Sequence, residues 1–209
     1  TPLAQIALAT GWESQQSFTT AFRAMYKRTP LAYRDRGVFY PLQLEWKPDP
    51  GLPEEPPREV SPAAPEDLPR WMDFTGLVIG GFPCLDRDAH RDQAKEAIRT
   101  GQAVVLRAGG VLVGATAFSR REGTIEFLAV HPRYRRRGVE RALLDHLLEG
   151  PLTGRTVSIT TFRAGDKADT GQRAAYQGLG FLEAEPLVQF GYPAQRFILP
   201  PGKEAVPHG

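Results

Sequence analysis

Residues 127–144 read Phe-Leu-Ala-Val-His-Pro-Arg-Tyr-Arg-Arg-Arg-Gly-Val-Glu-Arg-Ala-Leu-Leu. An apolar strand stops at His131-Pro132, a loop rich in arginine follows, and a helix begins directly after Gly138. Free backbone N–H groups and the positive end of the helix dipole then point at the loop, where they favour phosphate binding. Gly138 lacks a Cβ and would let the backbone approach a ligand closely. The stretch predicts an anion-binding loop, although a solvated basic loop before a surface helix fits the same residues.

The sequence on both sides of this stretch alternates between strand and helix patterns. Period-two runs predict strands, two of them joined by a turn at Gly109-Gly110, and three- to four-residue spacing predicts helices. The predicted strands cover residues 103–106, 111–115, 124–130 and 157–162, with further strand within 189–199, and the predicted helices cover 88–99, 139–148 and 172–179. Residues 58–68 fit a short strand and the start of a helix. This order indicates an α/β layer around a central sheet.

Two motifs in this region resemble the signature of the GNAT acetyltransferases. In that family an arginine or glutamine is followed three residues later by glycine, and Arg135 and Gly138 occupy these positions. Residues 174–181, Ala-Ala-Tyr-Gln-Gly-Leu-Gly-Phe, are similar to the family's last helix and the turn that follows it. The resemblance covers residues 58–200. It implies an α/β fold, a GNAT-type mixed central sheet flanked by helices, in which the fourth and fifth strands splay apart.

The same resemblance implies acetyl-CoA as the cofactor. The pantetheine arm would enter the gap between the two strands and pair with the fourth strand, and the diphosphate would lie on N–H groups of the arginine-rich loop. The residues that the resemblance assigns to the cofactor are Leu128, Ala129, Val130, Arg135, Arg136, Arg137, Gly138, Val139 and Arg141. An amine, from a small molecule or a peptide, would attack the thioester directly from the other side.

Two residues are candidates for the chemistry. Tyr176 occupies the position of the family's general acid, which protonates the leaving thiolate; a tyrosine that only packs the helix is the alternative. Glu126 is the candidate general base, and an exposed strand residue is its alternative. Period-two alternation places on one strand face Glu126, Leu128 and Val130, and on the other Ile125, Phe127 and Ala129. Apolar neighbours should raise the pKa of Glu126. His131 is a further candidate base, or a turn residue.

Three positions depart from the family pattern. Glu140 replaces a glycine or alanine next to the diphosphate, Arg136 replaces a glycine, and Asp169 replaces an asparagine before the last helix. We expect the Glu140 side chain to turn outward and the five arginines around it to oppose its charge, so that cofactor binding is weakened but retained. Tyr176 favours an N-acetyltransferase acting on an amine, whereas Glu140 favours a domain that senses an acyl-CoA or small molecule without turnover.

The N-terminal segment, residues 1–40, shows helical spacing interrupted by Gly11, with Ser14 as a helix cap. Residues 6–22 and 29–34 resemble the second helix-turn-helix of AraC-type transcription regulators. The resemblance implies that α-helical residues contact DNA bases and phosphates, namely Gln15, Gln16, Thr19, Arg23, Lys27 and Arg34. Members of that family carry two such motifs, and Thr20 replaces a common arginine, so we expect weak DNA binding.

The remaining features set the domain plan and the compartment. A proline-rich linker covers residues 41–57, the acetyltransferase-like domain 58–200 and a tail 201–209. A net charge of +2 over 209 residues argues against a general polyanion binder. The chain has no apolar run long enough to span a membrane and no apolar leader. The single cysteine, Cys84, forms no internal disulfide and has no partner ligands for a metal. We therefore expect a cytoplasmic protein without a metal site.

Overall fold

The fold is known from a computed structural model that describes residues 1–26, 28–35, 51–79, 86–166, 168–169, 171–189 and 191–202. Its helices are α1 (Leu3–Ala9), α2 (Gln15–Tyr26), α3 (Pro30–Asp35), α4 (Leu68–Ile79), α5 (Arg87–Arg99), α6 (Val139–Glu149) and α7 (Gln172–Gly178). Its strands are β1 (Val60–Pro62), β2 (Ala103–Ala108), β3 (Val111–Ser119), β4 (Thr124–Val130), β5 (Val157–Phe162), β6 (Leu182–Gln189) and β7 (Tyr192–Leu199). Single turns of 3-10 helix lie at Pro65–Asp67 and Pro132–Tyr134.

The seven strands form one sheet in the order β1-β2-β3-β4-β5-β7-β6. Neighbouring strands are antiparallel except for β4 and β5, which are parallel. A parallel pair needs a crossover, and α6 supplies it between β4 and β5. The predicted mixed sheet flanked by helices is therefore confirmed.

The helices of the domain cover both faces of the sheet. One core cluster joins α4 and α5 to the sheet and includes Trp71, Ala97 and Phe127, and the other joins α6 and α7 to the opposite face and includes Leu143 and Tyr176. A Cβ on Gly114 would lie 2.8 Å from Val139 Cγ1 and 3.1 Å from Leu143 Cδ1. Glycine at this position of β3 therefore lets the first turns of α6 sit close to the sheet, which fixes where that helix begins.

Contacts of this domain begin before residue 58. Leu52 is 4% exposed and belongs to the core cluster of α6 and α7. The Tyr134 hydroxyl donates a hydrogen bond to the Pro53 carbonyl over 2.6 Å. Residues predicted as the end of the linker thus pack against the sheet, because Leu52 supplies an apolar side chain between the prolines. Of the predicted linker, residues 41–50 lie outside the described residues, as do residues 203–209 of the predicted tail.

The N-terminal segment forms a helix, a turn and a second helix, as its spacing predicts. Gly11 has a φ of +82° between α1 and α2, a conformation that other residues rarely adopt. Ser14 Oγ accepts a hydrogen bond from the Ser17 backbone N–H over 3.1 Å and caps α2. The rings of five residues contact one another in this segment: Trp12, Phe18, Phe22, Tyr26 and Tyr33.

One strand was not predicted. β6 contains Pro186 and two exposed glutamates, and among the described strands it pairs with β7 alone, at the edge of the sheet. Proline is tolerated there because an edge strand needs only half of its backbone hydrogen bonds. Across the described ranges, no helix combines the length and the apolar character needed to cross a membrane.

Candidate active site

The centre of the sheet opens between β4 and β5. These strands pair only at Thr124–Ser158 and Ile125–Ile159. Beyond that point β4 stays paired with β3 as far as Val130, and β5 stays paired with β7 as far as Phe162. The two strands therefore diverge, as predicted, and the edge of β4 at Leu128, Ala129 and Val130 has no β5 partner among the described pairs. Unpaired N–H and C=O groups at such an edge can pair with an extended ligand.

The loop before α6 leaves N–H groups at the helix N-terminus. The helical hydrogen bonds begin with Ala142 N–H to the Gly138 carbonyl over 2.9 Å, so the N–H groups of the first turn have no acceptor within the helix. The N–H of Arg137 is different, because it donates to the Tyr134 carbonyl over 3.1 Å. Arg137 can therefore contribute its guanidinium to an anion, but its backbone N–H is already used.

Gly138 is required for a reason that differs from the predicted one. An added Cβ would meet no atom of the described residues within 4 Å, so these residues leave room for a side chain. Its φ is instead +87°, in the left-handed region, where it caps α6. Arg136 also has a positive φ, +61°, although it carries a side chain. The loop thus holds two left-handed residues within three positions, and they turn the chain from the 3-10 turn into α6.

The arginines of the loop differ in how they are engaged. Arg135, Arg136 and Arg137 are exposed, and the Arg137 guanidinium lies over the Tyr134 ring at 5.9 Å from its centre. Arg141 Nε donates to the Asp145 carboxylate one turn later over 2.8 Å, which offsets its charge. Val139 is 1% exposed, so only its backbone can face a ligand.

Arg136 reaches across to the last helix. Its Nη2 would lie 3.3 Å from a Cβ on Gly171, the residue that precedes α7. The side chain therefore extends from the loop of α6 towards the N-terminus of α7. A glycine at position 136 would leave that space open.

Glu140 contradicts the expectation that its side chain turns outward. The residue is half-buried, although residues 135–138 beside it are exposed. Burial raises the pKa of the Glu140 carboxyl, and the nearby backbone N–H groups of Glu140 and Arg136 and the Arg135 guanidinium oppose that rise. The expectation that five arginines oppose this charge stays a prediction; Arg135 lowers the pKa of the carboxyl, and Arg141 is paired with Asp145.

Tyr176 lies in the core beside this loop. It is 4% exposed, and its hydroxyl oxygen accepts a hydrogen bond from Gln172 Nε2 over 2.9 Å. Burial raises the pKa of the phenol well above its ordinary value; the Gln172 hydrogen bond opposes the rise, and the Glu140 and Asp169 carboxylates add to it. The phenol therefore stays protonated at neutral pH. Because its oxygen accepts from Gln172, its proton is available to another acceptor.

Asp169 has a structural role that the motif comparison did not indicate. Its Oδ1 accepts hydrogen bonds from the backbone N–H groups of Gly171 and Gln172, over 3.0 and 2.7 Å. The carboxylate thus caps the start of α7, and an aspartate does this as well as an asparagine. Gln172 is the other residue that sequence reasoning missed, and its position four residues before Tyr176 on a helix was the available signal.

Glu126 lies at a break in the strand alternation. Ala117 of β3 pairs with Phe127 while Phe118 pairs with Ile125, so Glu126 is an extra residue in β4. The predicted division of faces is therefore wrong at one position: Ile125 joins the core cluster of Leu128 and Val130 instead of that of Phe127. The Glu126 residue is exposed, yet partial burial and the Glu122 carboxylate raise the pKa of its carboxyl, in the expected direction.

An aromatic group lies next to Glu126 on the α4–α5 side. Phe127 packs against Trp71, with ring centres 5.3 Å apart, and against His90, at 5.1 Å. The Thr75 hydroxyl donates to the Trp71 carbonyl over 2.9 Å and lies 3.1 Å from His90 Nε2. Since the hydroxyl has only one proton, His90 Nε2 carries the hydrogen in that contact. Burial lowers the pKa of His90, which keeps the ring neutral.

His131 lies in a turn. It is 5% exposed, and its Nδ1 accepts a hydrogen bond from the Arg133 backbone N–H over 3.2 Å. The ring therefore caps the 3-10 turn that begins the arginine-rich loop. This geometry supports the turn interpretation over a role as base.

The described candidates for DNA contact lie in α2 and α3. Gln15, Gln16, Arg23 and Arg34 are exposed and Thr19 is half-buried. They include three positions spaced by four along one side of α2, residues 15, 19 and 23. Arg34 is also engaged within the segment, since its Nη1 donates to the Thr1 carbonyl over 3.3 Å. Lys27 lies outside the described residues.

Comparisons with known proteins agree with this geometry. Residues 81–192, more than half of the chain, match the family described as "Acetyltransferase (GNAT) domain". No curated protein matches the chain.

Solved structures resemble the fold at low sequence identity. A GNAT acetyltransferase from Bacillus cereus is 20% identical, with a TM-score of 0.54 over 68% of this chain and 96% of that chain. An N-acetyltransferase from Staphylococcus aureus is 16% identical, with a TM-score of 0.51 over 68% of this chain and 100% of that chain. An acetyltransferase from Thermus thermophilus is 17% identical, with a TM-score of 0.50 over 68% of this chain and 96% of that chain. These likenesses concern the fold.

Proposed function

This chain belongs to the GNAT family of acetyltransferases, and we propose that it transfers an acetyl group from acetyl-CoA to an amine. The observation that carries the proposal is the opening between β4 and β5, with the N-terminus of α6 at the end of β4. A strand edge without a partner and a helix N-terminus are the two features needed to hold a long amide-containing arm that ends in a diphosphate.

The residues present fit this cofactor, with one exception. Leu128, Ala129 and Val130 would pair with the amide groups of the pantetheine arm, and the first turn of α6 with the exposed arginines before it would hold the diphosphate. The exception is Glu140, a half-buried acidic residue in the first turn of α6. When bound, acetyl-CoA supplies the activated acetyl thioester, and the chain supplies the proton transfers around it.

We assign Glu126 the role of proton acceptor for the attacking amine, directly or through water. The bulge in β4 separates its side chain from the alternating core positions, and its raised pKa brings it closer to neutral pH. Glu122 adds a second negative charge nearby, which would favour an acceptor that arrives as a cation. Tyr176, protonated at neutral pH and positioned by Gln172, is the candidate donor to the leaving sulfur.

The proposal is tested by measuring the free thiol released from acetyl-CoA in the presence of primary amines, which include polyamines and peptides with a free amino terminus. Mass spectrometry of each product then shows whether the amine has been acetylated. We expect turnover with at least one amine and a loss of about 10²-fold in kcat in Glu126→Gln, the usual size of a lost general base. Glu122→Gln is the matched variant. It should keep kcat but move the acidic limb of the pH profile to lower pH, because removing its charge lowers the pKa of Glu126. Undiminished turnover in Glu126→Gln would remove its assigned role.

A second function, DNA binding by the N-terminal segment, is favoured by a separate observation. The turn at Gly11 joins two helices, and α2 exposes Gln15, Gln16 and Arg23 to solvent. This is the geometry with which a recognition helix enters the major groove. We propose it as an AraC-like binding element, and in this reading the acetyltransferase-like domain would sense an acyl-CoA or small molecule.

DNA binding is tested by fluorescence anisotropy with a random-sequence duplex at low salt. We expect binding that weakens steeply as salt rises, and Arg23→Ala should reduce the slope of log affinity against log salt by about one unit. Arg121→Ala provides the control, because Arg121 is exposed in the other domain. Binding that is absent at low salt, or equally weakened by both variants, would count against a recognition role of α2.

A further inference from the structure

We propose that the Thr161 hydroxyl is a second hydrogen-bond donor to the leaving sulfur, beside the Tyr176 phenol. The inference deepens the proposed function and rests on it, since it concerns the same opening between β4 and β5. It adds to the candidate site a residue that belongs to neither of the two sequence motifs.

Thr161 is buried without a hydrogen-bond partner. The residue is 7% exposed, and its Oγ1 has no partner among the described residues. The other two buried threonines of the described ranges differ, because the Thr75 and Thr116 hydroxyls donate to backbone carbonyls over 2.9 and 2.7 Å. A buried hydroxyl without a hydrogen bond destabilises the folded state, and a ligand that supplies the missing partner recovers this loss.

The position of Thr161 on β5 places it beside the opening. Ile159 is the last residue of β5 that pairs with β4 among the described pairs, and Thr161 follows two residues later, opposite Gln195 of β7. Trp71 Nε1, another buried atom without a described partner, lies instead in the core cluster of α4 and α5. Because side chains alternate between the faces of a strand, Thr161 shares the face of Ile159, which belongs to the core cluster of α6 and α7.

Tyr176 lies on the same face of the sheet. Its helix, α7, is held to the end of β5 by Arg173, whose Nη1 donates to the Phe162 carbonyl over 2.9 Å. Tyr176 follows Arg173 by about one turn and belongs to the core cluster of this face. Its hydroxyl oxygen accepts a hydrogen bond from Gln172 Nε2, so its proton is available to another acceptor. Thr161 and Tyr176 are therefore two hydroxyl donors on one side of the opening.

The two hydroxyls have different tasks at the sulfur. As the amine nitrogen bonds to the thioester carbon, the carbon–sulfur bond breaks and its electron pair goes to the sulfur. Tyr176 gives its proton to the sulfur, whereas Thr161 keeps its proton and donates a hydrogen bond to the negative charge that develops there. A donor that is already in place needs no reorganisation at that moment. A hydrogen bond to a charged atom corresponds to about tenfold to 100-fold in rate.

The first measurement is the melting temperature of the ligand-free chain. Thr161→Val replaces the hydroxyl by a methyl group of similar size and should raise the Tm by about 2–4 °C, because no hydrogen bond is lost. Thr116→Val is the matched control and should lower the Tm, because it removes the hydrogen bond to the Phe127 carbonyl. An equal fall of the Tm in both variants would overturn the inference, since the Thr161 hydroxyl would then have a partner within the protein.

The second measurement is calorimetric titration with coenzyme A and with desulfo-coenzyme A, which lacks the sulfur. At about pH 9 most of the coenzyme A thiol is ionised. Thr161→Val should bind coenzyme A about tenfold more weakly than the wild type, while its affinity for desulfo-coenzyme A should stay within about twofold. Thr161→Ser keeps the hydroxyl and should bind both ligands within about threefold of the wild type. Equal weakening for both ligands would overturn the inference, because the effect would not come from the sulfur.

Turnover with an acceptor from the amine panel gives a third result. The kcat should fall about tenfold in Thr161→Val and Thr161→Ala and stay within about threefold in Thr161→Ser, with the KM for acetyl-CoA within about twofold. An unchanged kcat and an unchanged affinity for coenzyme A in Thr161→Val would overturn the inference and leave the proposed function in place. If the wild type binds neither coenzyme A nor acetyl-CoA, both the inference and the proposed function fail.

Discussion

Replacing Tyr176 by phenylalanine removes one hydroxyl and leaves the buried ring in place. The ring packs in the core near Phe181, with centres 6.1 Å apart, and phenylalanine keeps this contact. What is lost is the hydrogen bond from Gln172 Nε2, whose removal from a part-buried site should lower the free energy of unfolding by about 1 kcal/mol.

The expected effect on catalysis is much larger. If Tyr176 donates its proton towards the leaving sulfur, Tyr176→Phe should lower kcat about 10²-fold, which corresponds to about 2.7 kcal/mol. The KM for acetyl-CoA should stay within about twofold, because the cofactor is held by the strand edge and the loop. The assay is thiol release under saturating acetyl-CoA, with an acceptor found in the amine panel.

Tyr134→Phe is the matched control. Tyr134 is also buried in the same core cluster, and its hydroxyl donates to the Pro53 carbonyl over 2.6 Å. This variant should lose about as much stability as Tyr176→Phe and keep its kcat. A kcat within about threefold of the wild type in Tyr176→Phe, or equal losses in both variants, would show that Tyr176 only packs the helix.

Three further predictions concern the fold around the site. Gly138→Ala should lower the free energy of unfolding by about 1–2 kcal/mol in denaturant titration, because alanine is strained at a φ of +87°. Gly76→Ala is the control and should raise the free energy of unfolding, because Gly76 lies inside α4 and its added Cβ meets no described atom within 4 Å. Asp67→Asn should lower the free energy of unfolding by about 2–3 kcal/mol, because Asp67 is 2% exposed and pairs with Arg107. Glu66→Gln, at the exposed neighbouring residue, should lower it little, and equal losses in the two variants would contradict the ion-pair account. NMR titration should show a pKa of His90 below its ordinary value, because burial disfavours the charged ring. The stability that the neutral ring contributes is complete above about pH 6.5 and is lost as the pH falls below that value. A His90 pKa at its ordinary value would contradict the burial of the ring.

The sequence predicts most of the sheet because its pattern is local. β4 and β5 have the predicted bounds, and α6 differs from its prediction by one residue at its end. The apolar residues of these segments recur at the spacing of a buried strand face or helix face, so periodicity alone locates the segments. β6 was missed because an edge strand with one paired side tolerates proline and charge, and its composition resembles a loop.

The sequence did not predict how every residue of the candidate site is placed. The face of Ile125 was wrong because the bulge at Glu126 depends on the pairing of β4 with β3, which is set by tertiary contacts. The half-burial of Glu140 was not predicted because it depends on a loop that turns through left-handed Arg136 and Gly138. Neither effect leaves a pattern in a single sequence, since both depend on residues that come together only on folding.

The most direct test of the central claim is a titration of the isotope-labelled chain with acetyl-CoA, followed by the backbone amide signals. The account predicts that the largest shifts occur at Leu128, Ala129 and Val130 on β4 and at the loop from Arg135 to Arg141, with small changes in α1, α2 and α3. Shifts confined to other surfaces, or the absence of saturable shifts in both the wild type and Glu140→Gln, would contradict an acetyl-CoA site in the opening between β4 and β5.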